Sequence, residues 1–95
     1  MSSVSESTDT AGISPVPTAS AVLLHIVQSI VDDPDAVRIS AVAGRHGKTA
    51  LEVRVGEGDL GRVIGRRGRT AASIRAVVRA AASRDNADID IEFED

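Results

Sequence analysis

Two glycines form a Gly-x-x-Gly turn between two segments whose apolar residues repeat at helical spacing, and this arrangement restricts the fold more than any other part of the chain. The turn runs from Gly65 to Gly68 and encloses Arg66 and Arg67, and residues 61–70 together hold four arginines and three glycines. Glycine lets a ligand approach the backbone closely, and arginine carries a permanent charge on a planar donor group. The stretch predicts a loop that holds a phosphate chain against the backbone. The alternative is a plain helix connection with solvated arginines.

The segments on either side of the turn have the period of helices. Asp59 precedes Leu60, Val63 and Ile64, which predicts a short helix that Asp59 caps. After the turn an alanine-rich segment predicts a long helix to about residue 84, followed by a turn at Asn86. The residues of its predicted core face are Thr70, Ile74, Val77, Val78 and Ala81.

The N-terminal part divides near residue 19. Residues 1–18 are rich in Ser, Thr and Pro and predict a disordered tail, which leaves one domain at residues 19–95. From Ala19 a helix is predicted that Thr18 or Ser20 could cap and that Asp32-Asp33-Pro34 ends, with Leu23, Ile26, Val27 and Ile30 on its core face. Leu24 and Val31 lie off this stripe. They are either edge positions of the same core or a subunit contact.

Three segments alternate with the period of a strand that buries one face. Their apolar positions are Val37, Ile39, Ala41 and Ala43; Leu51, Val53 and Val55; and Ile89, Ile91 and Phe93. A turn at residues 44–47 predicts that the first two pair antiparallel, whereas the crossover through two helices favours parallel pairing of the third. The predicted fold is α+β, in the order α-β-β-α-α-β, with a three-stranded mixed sheet covered on one face by helices. The second strand is central, and the acidic face of the last strand points away from the helices.

The distribution of charge matters more than the total. The net charge is −3, yet residues 61–84 carry seven arginines and no acid, and residues 85–95 carry six acids. A partner close to the arginines responds to them first, because charges act over a Debye length of about 10 Å. A nucleic-acid partner is therefore compatible with the acidic total.

Several classes of function are not expected. The chain has no cysteine, and its two histidines, His25 and His46, are isolated, so we expect neither a metal site nor a cofactor. No nucleophile, base and orienting group assemble, so we expect no enzyme. There is no apolar run near the roughly 18 residues of a membrane span and no signal-like N-terminus, which predicts a cytoplasmic protein.

The motif resembles that of a known family. Val63-Ile64-Gly65-Arg66-Arg67-Gly68 followed by Ile74 matches the signature of the KH domain, and the element order matches its type II form. More narrowly, residues 61–65 with Gly68-Arg69-Thr70-Ala71 and Ile74-Arg75 resemble the small stand-alone bacterial KH proteins of the KhpA family. The resemblance covers about residues 20–94.

This resemblance implies low-specificity binding of single-stranded RNA. In KH domains the loop clamps four nucleotides beside an apolar groove. By resemblance, Gly65 and Gly68 permit close approach, Arg66 and Arg67 neutralise phosphates, and Val63 and Ile64 help to form the groove floor. Three further arginines, Arg62, Arg69 and Arg75, would extend the basic rim.

The implied role is chaperone-like or regulatory and is linked to cell elongation and division. The implied protein partner is a second copy or a larger Jag-type KH protein. Two alternatives remain at the level of sequence: a protein-interaction module that uses the KH fold to dimerise, and binding of single-stranded DNA. Recognition by aromatic stacking is not expected, because Phe93 is the only aromatic residue.

Overall fold

The computed structural model describes residues 14–95, in the order helix, strand, strand, helix, helix, strand. The helices are α1 (Pro17–Ile30), α2 (Leu60–Ile64) and α3 (Arg69–Ala82), and the strands are β1 (Arg38–Ala43), β2 (Thr49–Arg54) and β3 (Ile89–Glu94). The order of elements confirms the prediction. Among these residues, no helix is long and apolar enough to cross a membrane.

The three strands form one mixed sheet in the order β1-β2-β3. β1 pairs antiparallel with β2, with Ala41 opposite Leu51, and β2 pairs parallel with β3, with Leu51 opposite Ile91. The central position of β2 and both pairing directions agree with the prediction. β1 and β3 are consequently the two edges of the sheet.

The core lies between the inward face of the sheet and the three helices. Its fully buried side chains come from every layer and include Leu23, Val27, Leu51, Val53, Val63 and Val78. Val31 also lies in this core, whereas Leu24 is 37% exposed. Val31 is therefore an edge position of the core rather than a subunit contact.

The buried stripe of α3 differs from the predicted one. It consists of Ala71, Ile74, Val78 and Ala82, while Val77, predicted to face the core, is 50% exposed. The physical reason is the alanine content of the helix. Where apolar residues occupy most positions, the sequence offers no polar contrast that fixes the direction of the stripe.

The start of α1 was predicted wrongly. The helix begins at Pro17, and Val16 before it is fully buried, so residues 16–18 belong to the folded part and not to the tail. Neither Thr18 nor Ser20 caps it. Instead the backbone N–H groups of Thr18 and Ala19 donate to Oδ1 and Oδ2 of Asp85, at 3.1 and 2.9 Å. The rest of the predicted tail, residues 1–13, lies outside the described residues.

The pKa of Asp85 reflects this contact. Partial desolvation acts to raise the pKa of the carboxyl, but the hydrogen bonds from Ala19, from Thr18 and from the Thr18 hydroxyl outweigh it. The pKa of Asp85 therefore lies below its usual value. The ionised form is the one that holds the N-terminus of α1.

A second carboxylate holds the other end of α1. Asp59 is 2% exposed, and its Oδ1 and Oδ2 accept hydrogen bonds from the backbone N–H groups of Asp32 and Asp33, at 3.1 and 3.0 Å. Asp59 does precede α2, as predicted, but its side chain makes no capping hydrogen bond to that helix. Because Asp85 follows α3 and Asp59 lies ahead of it, the two contacts fix α1 antiparallel to α3.

Candidate nucleic-acid interface

The loop between α2 and α3 is built on left-handed backbone conformations. α2 ends at Ile64, and Gly65 adopts φ 74° and ψ 174°. Arg67 and Gly68 follow with φ of 56° and 75°. Glycine adopts such conformations readily and arginine does so at a cost. The sequence of left-handed residues turns the chain sharply, so that α3 starts at Arg69 directly beside the end of α2.

The two glycines of the loop are required for different reasons. A Cβ on Gly65 would overlap the Thr70 hydroxyl and lie 2.6 Å from the Thr70 Cβ, so the chain's own packing excludes a side chain there. A Cβ on Gly68 would meet no atom of the described part of the chain, residues 14–95, within 4 Å. Gly65 closes the loop onto α3, whereas the space beside Gly68 is open.

Three arginines surround this open position. Arg66, Arg67 and Arg69 are exposed, and within residues 14–95 none of them has a carboxylate oxygen within 4.0 Å. They lie at the N-terminus of α3, which has no side-chain cap from the described residues. The positive end of a helix dipole and free backbone N–H groups favour an anion at such a position. The N-terminus of α3 and the three arginines therefore both favour the binding of an anion at this position.

The apolar pair before the loop is divided between core and surface. Val63 is fully buried in the core, and Ile64 is half-buried at the end of α2. Val63 therefore supports the loop from below, and only Ile64 can offer apolar surface beside it.

Arg62 differs from the loop arginines because it has acidic partners. Its Nε lies 3.3 Å from Oδ1 of Asp59, and its Nη2 lies 3.6 Å from Oδ2 of Asp32. Asp59 is the buried carboxylate that holds the end of α1. Arg62 thus compensates that charge and is less available to a phosphate.

Arg75 is also occupied. Its guanidinium lies 5.3 Å from the centre of the Phe93 ring, and its Nη2 donates to the backbone oxygen of Ile91 at 3.3 Å. Arg79, one turn later, lies 3.7 Å from Asp90. Both arginines therefore connect α3 to the edge strand β3. Sequence reasoning missed this contact, although the spacing of Arg75 and Arg79 by one helical turn placed them on one side of α3.

The chain matches a known protein family over most of its length. A family model described as KhpA/KhpB, KH domain matches residues 20–93. The chain belongs to this KH-domain family. The resemblance found in the sequence is thereby confirmed, and the matched span contains all three helices except the first turn of α1, the whole sheet up to Phe93, and the loop.

Similar proteins carry the name RNA-binding protein KhpA. The one from Leifsonia xyli subsp. xyli is 49% identical over 69 residues, which cover 73% of this chain and 90% of the relative. The one from Streptomyces coelicolor is 52% identical over 62 residues, covering 65% and 77%. The one from Borreliella burgdorferi is 41% identical over 70 residues, covering 74% and 84%. No solved structure matches the chain.

The KH-domain chain therefore brings only part of its predicted site residues together. Five of them form the loop and the start of α3, namely Gly65, Arg66, Arg67, Gly68 and Arg69, and the three arginines among them are exposed. Ile64 borders the loop and Val63 lies beneath it. Arg62 and Arg75 flank it with their guanidinium groups already in contact with other parts of the chain. Within residues 14–95, no group of three or more His, Cys, Asp or Glu side chains could hold a metal ion.

Proposed function

We propose that this member of the KhpA/KhpB family binds single-stranded RNA through the loop at residues 65–69. The observation that carries the proposal is the set of exposed arginines, Arg66, Arg67 and Arg69, at the N-terminus of α3, which have no carboxylate partner within residues 14–95. The relatives named RNA-binding protein KhpA support it. The phosphates of the RNA supply the negative charge that no carboxylate of residues 14–95 supplies to these arginines.

The geometry favours contact with the backbone of the RNA rather than with particular bases. The open space beside Gly68 lets a phosphate reach the start of α3, and the arginines on either side donate to its oxygens. Phe93, the only aromatic residue, already carries Arg75 over its ring, so base stacking is not expected. Ile64 supplies an apolar wall, while Arg62 and Arg75 form the outer rim. Low sequence specificity follows, because phosphate contacts position a strand without reading it.

The family resemblance extends the proposal to the cell. A small protein that holds any single strand weakly can act as an RNA chaperone or post-transcriptional regulator. We place this role in the cytoplasm and connect it with cell elongation and division. This part of the proposal rests on resemblance to the family and not on a particular contact.

The experiment uses the open position at Gly68. Aspartate and asparagine are nearly identical in shape, and both tolerate the left-handed conformation that Gly68 adopts. We expect Gly68→Asp to bind a single-stranded RNA oligomer far more weakly than Gly68→Asn, since only the former places a negative charge where the phosphate lies. Equal affinity of the two variants would overturn the proposal. Competition between RNA and DNA oligomers of matched sequence separates RNA binding from single-stranded DNA binding.

A second candidate function, interaction with another protein, is supported by the outer surface of α1 and α3. α1 carries no formally charged residue, and the exposed residues 72, 73, 76, 77 and 80 of α3 are Ala, Ser, Ala, Val and Ala. Val77 is the most exposed large apolar residue of the described chain, at 50%. The partners proposed are a second copy of the chain and a larger Jag-type KH protein. Sedimentation of the protein alone and with such a partner tests this candidate independently of RNA.

A further inference from the structure

The β3 edge of the sheet lies beside the proposed RNA-binding loop. Both helices that the loop joins, α2 and α3, contact β3. Arg75, six residues after Arg69, stands about 9 Å further along the axis of α3. A strand of four nucleotides, the length that a KH loop clamps, is long enough to extend from the loop to this edge.

The backbone groups that point outward from β3 belong to alternate residues. The N–H of Thr49 donates to the oxygen of Asp88 at 3.0 Å, so residue 88 faces β2. Successive residues of a strand direct their backbone groups to opposite sides, so residues 90, 92 and 94 also face β2, whereas residues 89, 91 and 93 face away from the sheet. Ile91, in the middle of β3, therefore presents an N–H and a C=O side by side at the edge.

A donor and an acceptor side by side can read the Watson–Crick edge of an unpaired base. Adenine and cytosine present an amino donor beside a ring-nitrogen acceptor, whereas uracil and guanine present a carbonyl acceptor beside a ring N–H donor. The two orders are opposite. When phosphate contacts fix the strand, one class of base forms two hydrogen bonds with such a pair, and the other class places like groups against it. An open Ile91 would distinguish the amino bases from the keto bases.

In this chain the acceptor of that pair is covered by Arg75. Its Nη2 donates to the oxygen of Ile91 at 3.3 Å, and its guanidinium lies 5.3 Å from the centre of the Phe93 ring. The first contact fills the acceptor, and the second holds the guanidinium against the same edge. A base that approaches Ile91 meets a positively charged donor group in place of a free oxygen.

We propose that Arg75 is a specificity-determining residue, which keeps base selectivity low by covering the oxygen of Ile91. The inference rests on the proposed function, since it concerns the bases of a strand that the loop holds by its phosphates. While Arg75 is in place, the strand passes β3 without readout of its bases. Without the donor group of Arg75, the backbone pair of Ile91 is exposed and selects the base beside it.

The charges beside this edge favour a base over the backbone of a second polypeptide as the ligand. The residues of β3 that alternate with its buried isoleucines are Asp90, Glu92 and Glu94, and acidic side chains on an edge strand hinder pairing with another strand. The same carboxylates repel the phosphates of RNA, which keeps the phosphates on the side of α3 and its arginines. The bases of the strand are then the groups that approach β3.

The experiment compares the base selectivity of Arg75→Met with that of a matched control. Methionine is unbranched and flexible, so it can cover Phe93, but it offers no donor to the oxygen of Ile91. Arg79→Met also removes one positive charge from α3, where Arg79 lies 3.7 Å from Asp90, and it leaves Arg75 in place. Fluorescence anisotropy gives the affinities of the unaltered protein and both variants for short labelled oligomers of adenylate, cytidylate and uridylate.

We expect the unaltered protein and Arg79→Met to bind the three oligomers within about threefold of one another, because phosphate contacts do not read bases. In Arg75→Met the oligomers of adenylate and cytidylate should separate together from that of uridylate by about tenfold or more, since a matched donor–acceptor pair discriminates to this order. Stacking within each oligomer is the same for all three proteins. The change in the affinity ratio between proteins is therefore the measure.

A second measurement locates the effect on the backbone of β3. In amide spectra of isotope-labelled protein, the oligomer that Arg75→Met prefers should shift the N–H resonance of Ile91 in that variant. The same resonance should stay nearly unchanged in the unaltered protein and in Arg79→Met, while the resonances of Arg66 and Arg67 shift in all three. Circular dichroism confirms that both variants are folded.

Three results would overturn the inference. They are affinity ratios in Arg75→Met that equal those of the unaltered protein, the same change of ratio in Arg79→Met, and a base preference of the unaltered protein that Arg75→Met abolishes. The third result would mean that Arg75 itself reads a base. In each of these cases RNA is still bound, so the proposed function stands. Failure of the unaltered protein to bind any of the oligomers would contradict the proposed function, and the inference with it.

Discussion

The arginines of the loop and the arginines that flank it have the same charge and different surroundings. Arg66, Arg67 and Arg69 are exposed and have no carboxylate oxygen within 4.0 Å in the described part of the chain, residues 14–95. Arg62 contacts two aspartates, and Arg75 lies against Phe93 and a backbone oxygen. The number of basic residues in a motif is thus a poor measure of the number of guanidinium groups that can bind a phosphate. The number of guanidinium groups that lack a partner is the better one.

The two glycines of the loop differ in their surroundings even more strongly than the two groups of arginines do. We expect Gly65→Ala to destabilise the protein by roughly 3 kcal/mol or more, because the new Cβ overlaps Thr70 and the backbone is in a region used almost only by glycine. Gly68→Ala should cost only about 1 kcal/mol, for the left-handed conformation alone. Urea unfolding of the two variants measures the difference. Equal losses would show that Thr70 does not determine the residue at position 65.

The next largest effect concerns Asp59, the buried carboxylate that pairs with Arg62. Asp59→Ala leaves the N–H groups of Asp32 and Asp33 without their acceptor, and we expect a loss of about 2 kcal/mol in the free energy of unfolding. Asp59→Asn keeps one acceptor oxygen and should lose less. If Asp59→Ala unfolds at the same urea concentration as the unaltered protein, then Arg62 and the end of α1 are not held by this side chain.

The arginines themselves can be compared by charge removal. We expect Arg66→Gln with Arg67→Gln to weaken RNA binding roughly tenfold or more at 0.1 M salt, since two phosphate contacts are lost. The matched pair Arg62→Gln with Arg75→Gln removes the same charge and should weaken binding by less than about threefold, because neither guanidinium is free. Fluorescence anisotropy with a labelled single strand measures both. Similar losses in the two double variants would show that position and pairing make no difference.

The smallest effect is one of pH and concerns a carboxylate remote from the loop. The pKa of Asp85 is lower in the folded than in the unfolded state, so its contribution to stability is present above the unfolded value, about 3.9, and is lost as the pH falls through the folded value. Acid unfolding of Asp85→Asn should lack this part of the pH dependence. The loop arginines do not titrate in this range, so RNA binding by the folded protein should not follow the same curve.

The sequence predicted the elements that local periodicity and chain connection determine. The alternation in β2 and β3 gave their inward faces, since Leu51, Val53, Ile89 and Ile91 are all buried. The crossover through two helices gave the parallel pairing of β2 with β3. The inward faces follow from the spacing of apolar residues, and the parallel pairing follows from the order of the elements. A single sequence is enough to establish both.

Contacts between distant residues were beyond such reasoning. The bond from Thr18 to Asp85 spans 67 residues, and those from Asp32 and Asp33 to Asp59 span 27 and 26. No local pattern marks these aspartates, so the cap of α1 was assigned to neighbouring hydroxyls. The ion pair between Arg62 and Asp32 depends on the same packing, because Asp32 lies beside Arg62 only when α1 is packed in the folded chain.

The sequence correctly predicts a turn at the two glycines, but it offers the same reason for both of them. The sequence suggested that both permit a ligand to approach. Gly65 is already required by Thr70, five residues later, and only Gly68 retains open space. Whether a glycine serves the fold or a ligand depends on what its missing side chain would meet, and the order of residues does not contain that distance.

The salt dependence of RNA binding tests the central claim most directly. If about three loop arginines contact phosphates, the logarithm of the association constant should fall with the logarithm of the salt concentration at a slope of roughly −2. The titration needs only the unaltered protein and a short single strand. A slope near −2 supports phosphate binding by the loop arginines, and a flat response would contradict it.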